Sequence, residues 1–187
     1  FSKDLYDSMK LLSSKKHDIK YLAYLNNCLE HDSLWDIVDT TPDYKNGSIN
    51  HAMGMHWAIK HCTSEFIVLT HVDIVILMQD WDDELVKILA NVDIAGVPYD
   101  KWPDRYHYFP SNIFLAAKSK NIQDVCFFPC IMPSKRRTKV FSVPINKHTK
   151  NIYNTHSKNI FLDVGYLLPY YAQTKGWKHN AFQCNND

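Results

Sequence analysis

Apolar residues recur at helical spacing at the head of the chain. Leu5, Met9 and Leu12 follow Ser2, a residue suited to capping a first turn, and predict a helix over residues 2–12. Two apolar and aromatic runs, 19–25 and 34–38, predict strands, and the turn formers Thr41, Pro42, Asp43, Asn46 and Gly47 predict a loop after them. Ser48 then caps a helix in which Ile49, Ala52, Met53, Trp57 and Lys60 share a face, ending near Cys62. The run 65–70 is rich in β-formers and has no helical stripe, which suits a strand covered on both faces. Asp80 reads as the N-cap of the next helix, whose Trp81, Leu85, Ile88 and Leu89 fall at i, i+4, i+7 and i+8. Residues 92–97 repeat the buried-strand pattern, and 112–117 form a further strand beyond an aromatic, proline-containing loop over 98–110.

The second half carries weaker periodicity. Pro129 and Pro133 break the run 127–133, the basic Lys135, Arg136, Arg137 and Lys139 follow, 140–143 is a short candidate strand and 146–158 is polar loop. A helix is predicted over 163–175, closed by Gly176 and with Pro169 confined to its first turn. Strands alternating with helices of this length predict an α/β fold with right-handed βαβ units, a mostly parallel central sheet and flanking helices. At 187 residues one domain is expected.

Composition narrows the partners. The formal charge of +1 provides no field that would draw the protein to nucleic acid or to an anionic membrane, so an anion would have to be bound locally. Hydrophobic residues make up 45% and charged residues 22%, which suits a soluble globular chain. No apolar run reaches the roughly 18–20 residues that span a bilayer. The five cysteines lack paired CxxC spacing, and a reducing, cytoplasmic setting is expected.

Ligands of open parallel sheets bind beyond the carboxyl ends of the strands, and His71 and Asp73 leave the end of the 65–70 run on either side of one apolar residue. Both would point to the same side of an extended chain. A carboxylate there can hold Mg²⁺ or Mn²⁺ against two phosphates; alternatively, Asp73 only caps the segment that follows.

The stretch 48–86 resembles the centre of GT-A glycosyltransferases, especially family 2-like enzymes. Asn50, His51 and Gly54 match an N-x-G-like helix start, His71-Val72-Asp73 a D-x-D-like motif, Asp80-Trp81 a later D-W pair, and Phe161-Leu162-Asp163-Val164-Gly165 the acidic motif on the acceptor side. The likeness implies a Rossmann-like GT-A fold, with residues 1–97 as the donor-binding half and 98–187 as the acceptor-binding half. It implies a nucleotide-sugar donor, a glycan or other hydroxyl acceptor, a divalent metal and a single, inverting sugar transfer. It further implies that Asn26 and Asn27 read the nucleotide base, that Asn50, His51, Gly54, His71 and Asp73 bind the donor, that Asp163 is the catalytic base, and that His179 joins His71 and Asp73 at the metal. His71 in place of a carboxylate shifts the expected ion from Mg²⁺ towards Mn²⁺. Family members also open with a strand and donor-binding loop, which by this likeness are expected to precede residue 2.

Bland readings stand beside these. Asp163 could cap a helix, His179 could sit at the surface, and Asn26 and Asn27 could merely turn the chain. Trp102, Tyr106 and Tyr108 of the aromatic loop suit an acceptor wall or a patch closing the core. The basic cluster suits a diphosphate contact or a solvated loop. A non-catalytic sugar- or nucleotide-binding module, or a nucleotidyltransferase, are the competing functions; the latter normally needs a glycine-rich phosphate loop that is absent here.

Overall fold

The computed structural model describes residues 2–26, 35–41, 47–98, 109–128, 130–133, 159–162, 164–165 and 167–182. In chain order these form α1 (Ser2–Leu11), β1 (Leu22–Asn26), β2 (Ile37–Thr41), α2 (Gly47–His61), β3 (Phe66–Thr70), α3 (Trp81–Asn91) and β4 (Ile94–Pro98). They continue with β5 (Pro110–Lys118), the single turn α4 (Ser119–Ile122), β6 (Cys130–Pro133), β7 (Asn159–Leu162), α5 (Leu168–Lys175) and β8 (His179–Ala181). The result is a mixed α/β arrangement whose main sheet is small, four-stranded, and flanked by helices, in the order β3-β5-β4-β8.

The sheet is mixed, where the alternation of strands and helices predicted a mostly parallel one. β5 runs antiparallel to both of its neighbours, β3 and β4, while β8 pairs parallel to β4. The reason lies in the β4–β5 connection: residues 99–109 are too few for the helical crossover, of about a dozen residues or more, that parallel pairing requires. The chain therefore turns back beside β4. β1 and β2 form a separate parallel pair, and β6 and β7 an antiparallel one. The pairing of β1 with β2 starts three residues later than the apolar runs suggest, because Asp36 pins Tyr21: the Tyr21 amide donates to the Asp36 carboxylate at 2.6 Å and the Asp36 amide to the Tyr21 carbonyl at 2.8 Å.

Two cores lie on opposite faces of the main sheet, divided by the strand period of two. Leu115 and Ala117 of β5 face Ala52, Met55 and Ile59 of α2 and Leu168 and Ala172 of α5. Phe114 and Ala116 face Leu5 and Met9 of α1 and Trp81, Leu85 and Leu89 of α3. The predicted stripes of α1 and α3 are thus the buried ones, and the Trp81 indole ties the two helices by donating to the Met9 carbonyl at 2.9 Å. Asp80 departs from its expected capping role. Its side chain makes no cap bond; its backbone is left-handed (φ 56°), and its amide donates to the Leu12 carbonyl at 2.7 Å. An Asp tolerates that conformation, which turns the chain sharply into α3. Pro169 does lie in the first turn of α5, and Gly176 closes that helix with φ 66°. No helix among the described residues is long and apolar enough to cross a membrane.

Gly96 is required by the closeness of β4 and β5: a Cβ there would lie 2.2 Å from the Phe114 carbonyl oxygen, a backbone atom that cannot swing away. Replacing Gly96 by Ala should therefore cost about 2–4 kcal/mol in urea unfolding. Gly47→Ala, with nothing within 4 Å of the added methyl, should change stability by less than about 1 kcal/mol. Equal effects of the two substitutions would refute this account of the β4–β5 pair.

Candidate functional site

No described strand pairing joins β1 to β3, and between them lies a cleft of about 1330 Å³. Leu22, Ala23 and Tyr24 of β1 form one wall and all five residues of β3 the other. Residues of α2 close one side, and Met9, Trp81, Leu85 and Leu89 close the opposite side. The interior is largely apolar; polar groups line both ends, with Lys16, His17, Thr63, Ser64 and Glu65 on the side where β3 begins and Asn50, His51, His71, Asp73 and Asn112 on the side where it ends.

At the end of β3 the chain brings together most of the residues expected to bind a donor. His71 and Asp73 follow β3, with the His71 amide donating to the Ile113 carbonyl at 3.1 Å, so the antiparallel register of β5 continues one residue past the strand and fixes the imidazole's starting point. The His51 ring stands edge-on to that of His71, centroids 4.4 Å apart and planes at 87°. Asn50, one residue before His51 on α2, is buried and lines the same cleft. Gly54 lines it too, and also has a packing role: a Cβ there would come within 2.8 Å of Tyr24 Cδ1, so its absence lets α2 settle on β1.

A metal would find two donors. His71 Nδ1 and Asp73 Oδ1 are 3.9 Å apart, and the Asp73 side chain is 68% exposed. Donors sharing a first-row divalent ion at ~2.1 Å each lie about 3 Å apart, so a small rotation of Asp73 closes the pair. The mixed nitrogen and oxygen set suits Mn²⁺ better than Mg²⁺. No group of three or more His, Cys, Asp or Glu side chains is gathered for a metal among the described residues.

His179 is placed elsewhere. It lies in β8, three positions across the sheet from β3, and the register aligns it through Ile94 and Ala117 with Ile67, near the start of β3. At ~4.8 Å per strand that is about 14 Å across the sheet alone, so the imidazole, packed on Phe109, is not brought to His71 and Asp73. Asn26 ends β1 opposite Thr41, with a side chain outside the described set. Asn27, Trp102, Tyr106, Tyr108, Asp163 and the basic cluster at 135–139 also lie outside the described residues.

Asn112 is the residue that sequence reasoning missed. It is buried in β5, lines the cleft, and precedes the Ile113 whose carbonyl holds His71. From the other side Gly165 approaches it: a Cβ at Gly165 would be 3.5 Å from Asn112 Cβ. The Val164–Gly165 turn is thus seated within two residues of the His71 anchor. The available signal was the polar Ser111-Asn112 pair opening an otherwise apolar strand.

The near wall of the cleft, residues 16–24, hangs from α3. Asp82 accepts from the Ser14 amide at 2.7 Å and the Ser14 hydroxyl at 2.8 Å. Burial pushes the Asp82 carboxyl up, but these bonds, with amides of the helix start, outweigh it and hold it below its ordinary value. Next to it, hydrogen bonds from Lys16 and Lys87 draw Asp83 down to about 2. Burial, with Tyr6, Asp82 and Asp36 nearby, pushes the Tyr21 phenol up to about 12, so it stays neutral at the cleft wall.

Comparison with family models, with curated proteins and with solved structures finds no match to this chain.

Because Asp82 is ionised more readily folded than unfolded, its contribution is present above the ordinary carboxylate range and fades as pH falls through the folded value. Asp82→Ala should cost about 1–3 kcal/mol in urea unfolding at neutral pH. The gap to the wild type should narrow as pH falls below the ordinary carboxylate range. A gap that stays constant with pH would mean that ionised Asp82 is not what holds Ser14.

Proposed function

We propose that this chain is the catalytic core of a metal-dependent glycosyltransferase that moves one sugar from a nucleotide-sugar donor to a glycan or other hydroxyl acceptor. The observation that carries the reading is convergence: His71 and Asp73 from one stretch and Asn50 and His51 from another line one cleft together with Asn112, with the His51 and His71 rings in contact, and the Val164–Gly165 turn from a third stretch approaches Asn112. These are the stretches that carry the likeness to GT-A enzymes of the family 2-like kind.

In this reading Asp73 and His71 hold a divalent cation, Mn²⁺ in preference to Mg²⁺. When bound, the ion would offset the charge of a nucleoside diphosphate leaving group. Asn50 and His51 supply hydrogen-bonding groups beside it, and the apolar cleft behind them keeps water from the donor. Asp163, next to the Val164–Gly165 turn in sequence, takes the proton of the acceptor hydroxyl as that oxygen bonds to the anomeric carbon and the bond to the diphosphate breaks. Attack opposite the leaving group inverts the anomeric centre. Asn26 and Asn27 contact the base, and Trp102, Tyr106 and Tyr108 the acceptor. A reducing compartment such as the cytoplasm fits the cysteine usage.

One observation favours a second reading. His71 stands where the likeness expects a carboxylate, which also suits a module that binds a sugar nucleotide without turning it over.

Calorimetric titration with a panel of nucleoside diphosphates and nucleotide sugars, with and without Mn²⁺, tests the proposal. One nucleotide should bind only with metal, and Asp73→Ala should weaken it at least about tenfold. Asp163→Asn should leave donor binding intact and lower transfer by about 10²-fold or more. Metal-dependent binding without any transfer would favour the binding module, and no nucleotide binding under any condition would overturn both readings.

A further inference from the structure

His56 lies on α2, outside the proposed donor site, and takes part in a chain of contacts that ends at the Val164–Gly165 turn. The Phe127 amide donates to His56 Nε2 at 3.2 Å. A nitrogen that accepts carries no proton, so Nδ1 holds the single ring hydrogen of the neutral imidazole. The side chain of Phe127 is fully buried, and its carbonyl accepts the Gly165 amide at 3.2 Å. Gly165 is itself left-handed, with φ 74°, and its carbonyl receives the Leu168 amide at 2.9 Å at the head of α5. One backbone residue, Phe127, therefore links the His56 ring to the turn.

We propose that His56 is a pH-operated latch: a proton added to Nε2 displaces the Phe127 amide and, through the Phe127 carbonyl, loosens the Val164–Gly165 turn. The two states exclude each other, because the atom that accepts the amide is the atom that takes the proton. A buried amide that loses its acceptor cannot stay in place without cost, so segment 125–128 must shift. Phe128 keeps the opened state from being simple unfolding. Its ring stacks on His56 at 4.9 Å and 19°, a face that attracts an imidazolium as well as an imidazole.

The surroundings set the direction. One turn along α2 the nearest charged residue is Lys60, and the facing segment contributes Asp124 and Cys126; burial alone accounts for the balance at His56 and lowers its pKa. The latch is therefore closed at neutral pH and opens as pH falls below the ordinary histidine value towards the lower folded one. As regulation, the latch rests on the proposed catalytic role of the neighbouring motif; as a structural device it does not, and its test uses no substrate.

Amide hydrogen exchange of the wild-type protein, corrected for the intrinsic pH dependence, reads the latch directly. Protection of Phe127 and Gly165 should fall at least about tenfold between about pH 7.5 and pH 5. The midpoint should coincide with the titration of the His56 ring followed by NMR. The Val92 amide, bonded to the Ile88 carbonyl in α3, should show no such fall. His56→Gln offers an acceptor that does not titrate and should remove the pH dependence. Wild-type protection that is flat with pH, a midpoint away from that of His56, or a Gln variant with the same fall would overturn the proposal.

Discussion

Everything in this structure depends on one strand lying between two others. β5 supplies both hydrogen-bonded edges that hold β3 and β4, and its side chains serve both cores in alternation, with Leu115, Ala116 and Ala117 fully buried. Small residues at two of those three positions let helices approach from either side. The cost is intolerance at the closest point, where Gly96 meets the Phe114 carbonyl. The polar opening of the same strand sits at the mouth of the cleft, so the element that organises the interior also sets the spacing of the candidate site.

Local periodicity was a good guide for α1 and α3 but not for α2, which buries Asn50, Ala52, Met55 and Ile59 rather than the expected face of Ile49, Ala52, Met53, Trp57 and Lys60. The stripes of α1 and α3 and the apolar run of β3 are legible because their burial follows from spacing alone. Strand direction was not legible, since it depends on the length of the β4–β5 link rather than on any pattern within the strands. Asp80 misled because its identity suits a side-chain cap, whereas a backbone bond to Leu12 takes the residue into left-handed geometry instead.

The candidate site was legible in part for similar reasons. His71 and Asp73 could be found from their place after a buried strand, whereas Asn50 and His51 were expected only through the likeness of their helix start to that of GT-A enzymes. Asn112 could not, because its importance comes from pairing register across the sheet. Nor could the separation of His179 be seen, since sequence order says nothing about which edge of a sheet a late strand joins. The cleft itself arises from an absence of pairing between two strand edges, which no local pattern encodes.

The register of β5 has a consequence in time as well as in space. A polypeptide made from its first residue onward carries Asn50, His51, His71 and Asp73 well before Asn112 and Ile113 exist to position them, and longer still before Gly165 arrives. During synthesis, or in a fragment ending ahead of β5, the motif residues are present without their geometry. The arrangement is acquired late and at once, when a distant strand docks, so an unfinished chain lacks the assembled cleft even though the residues that line it are already in place.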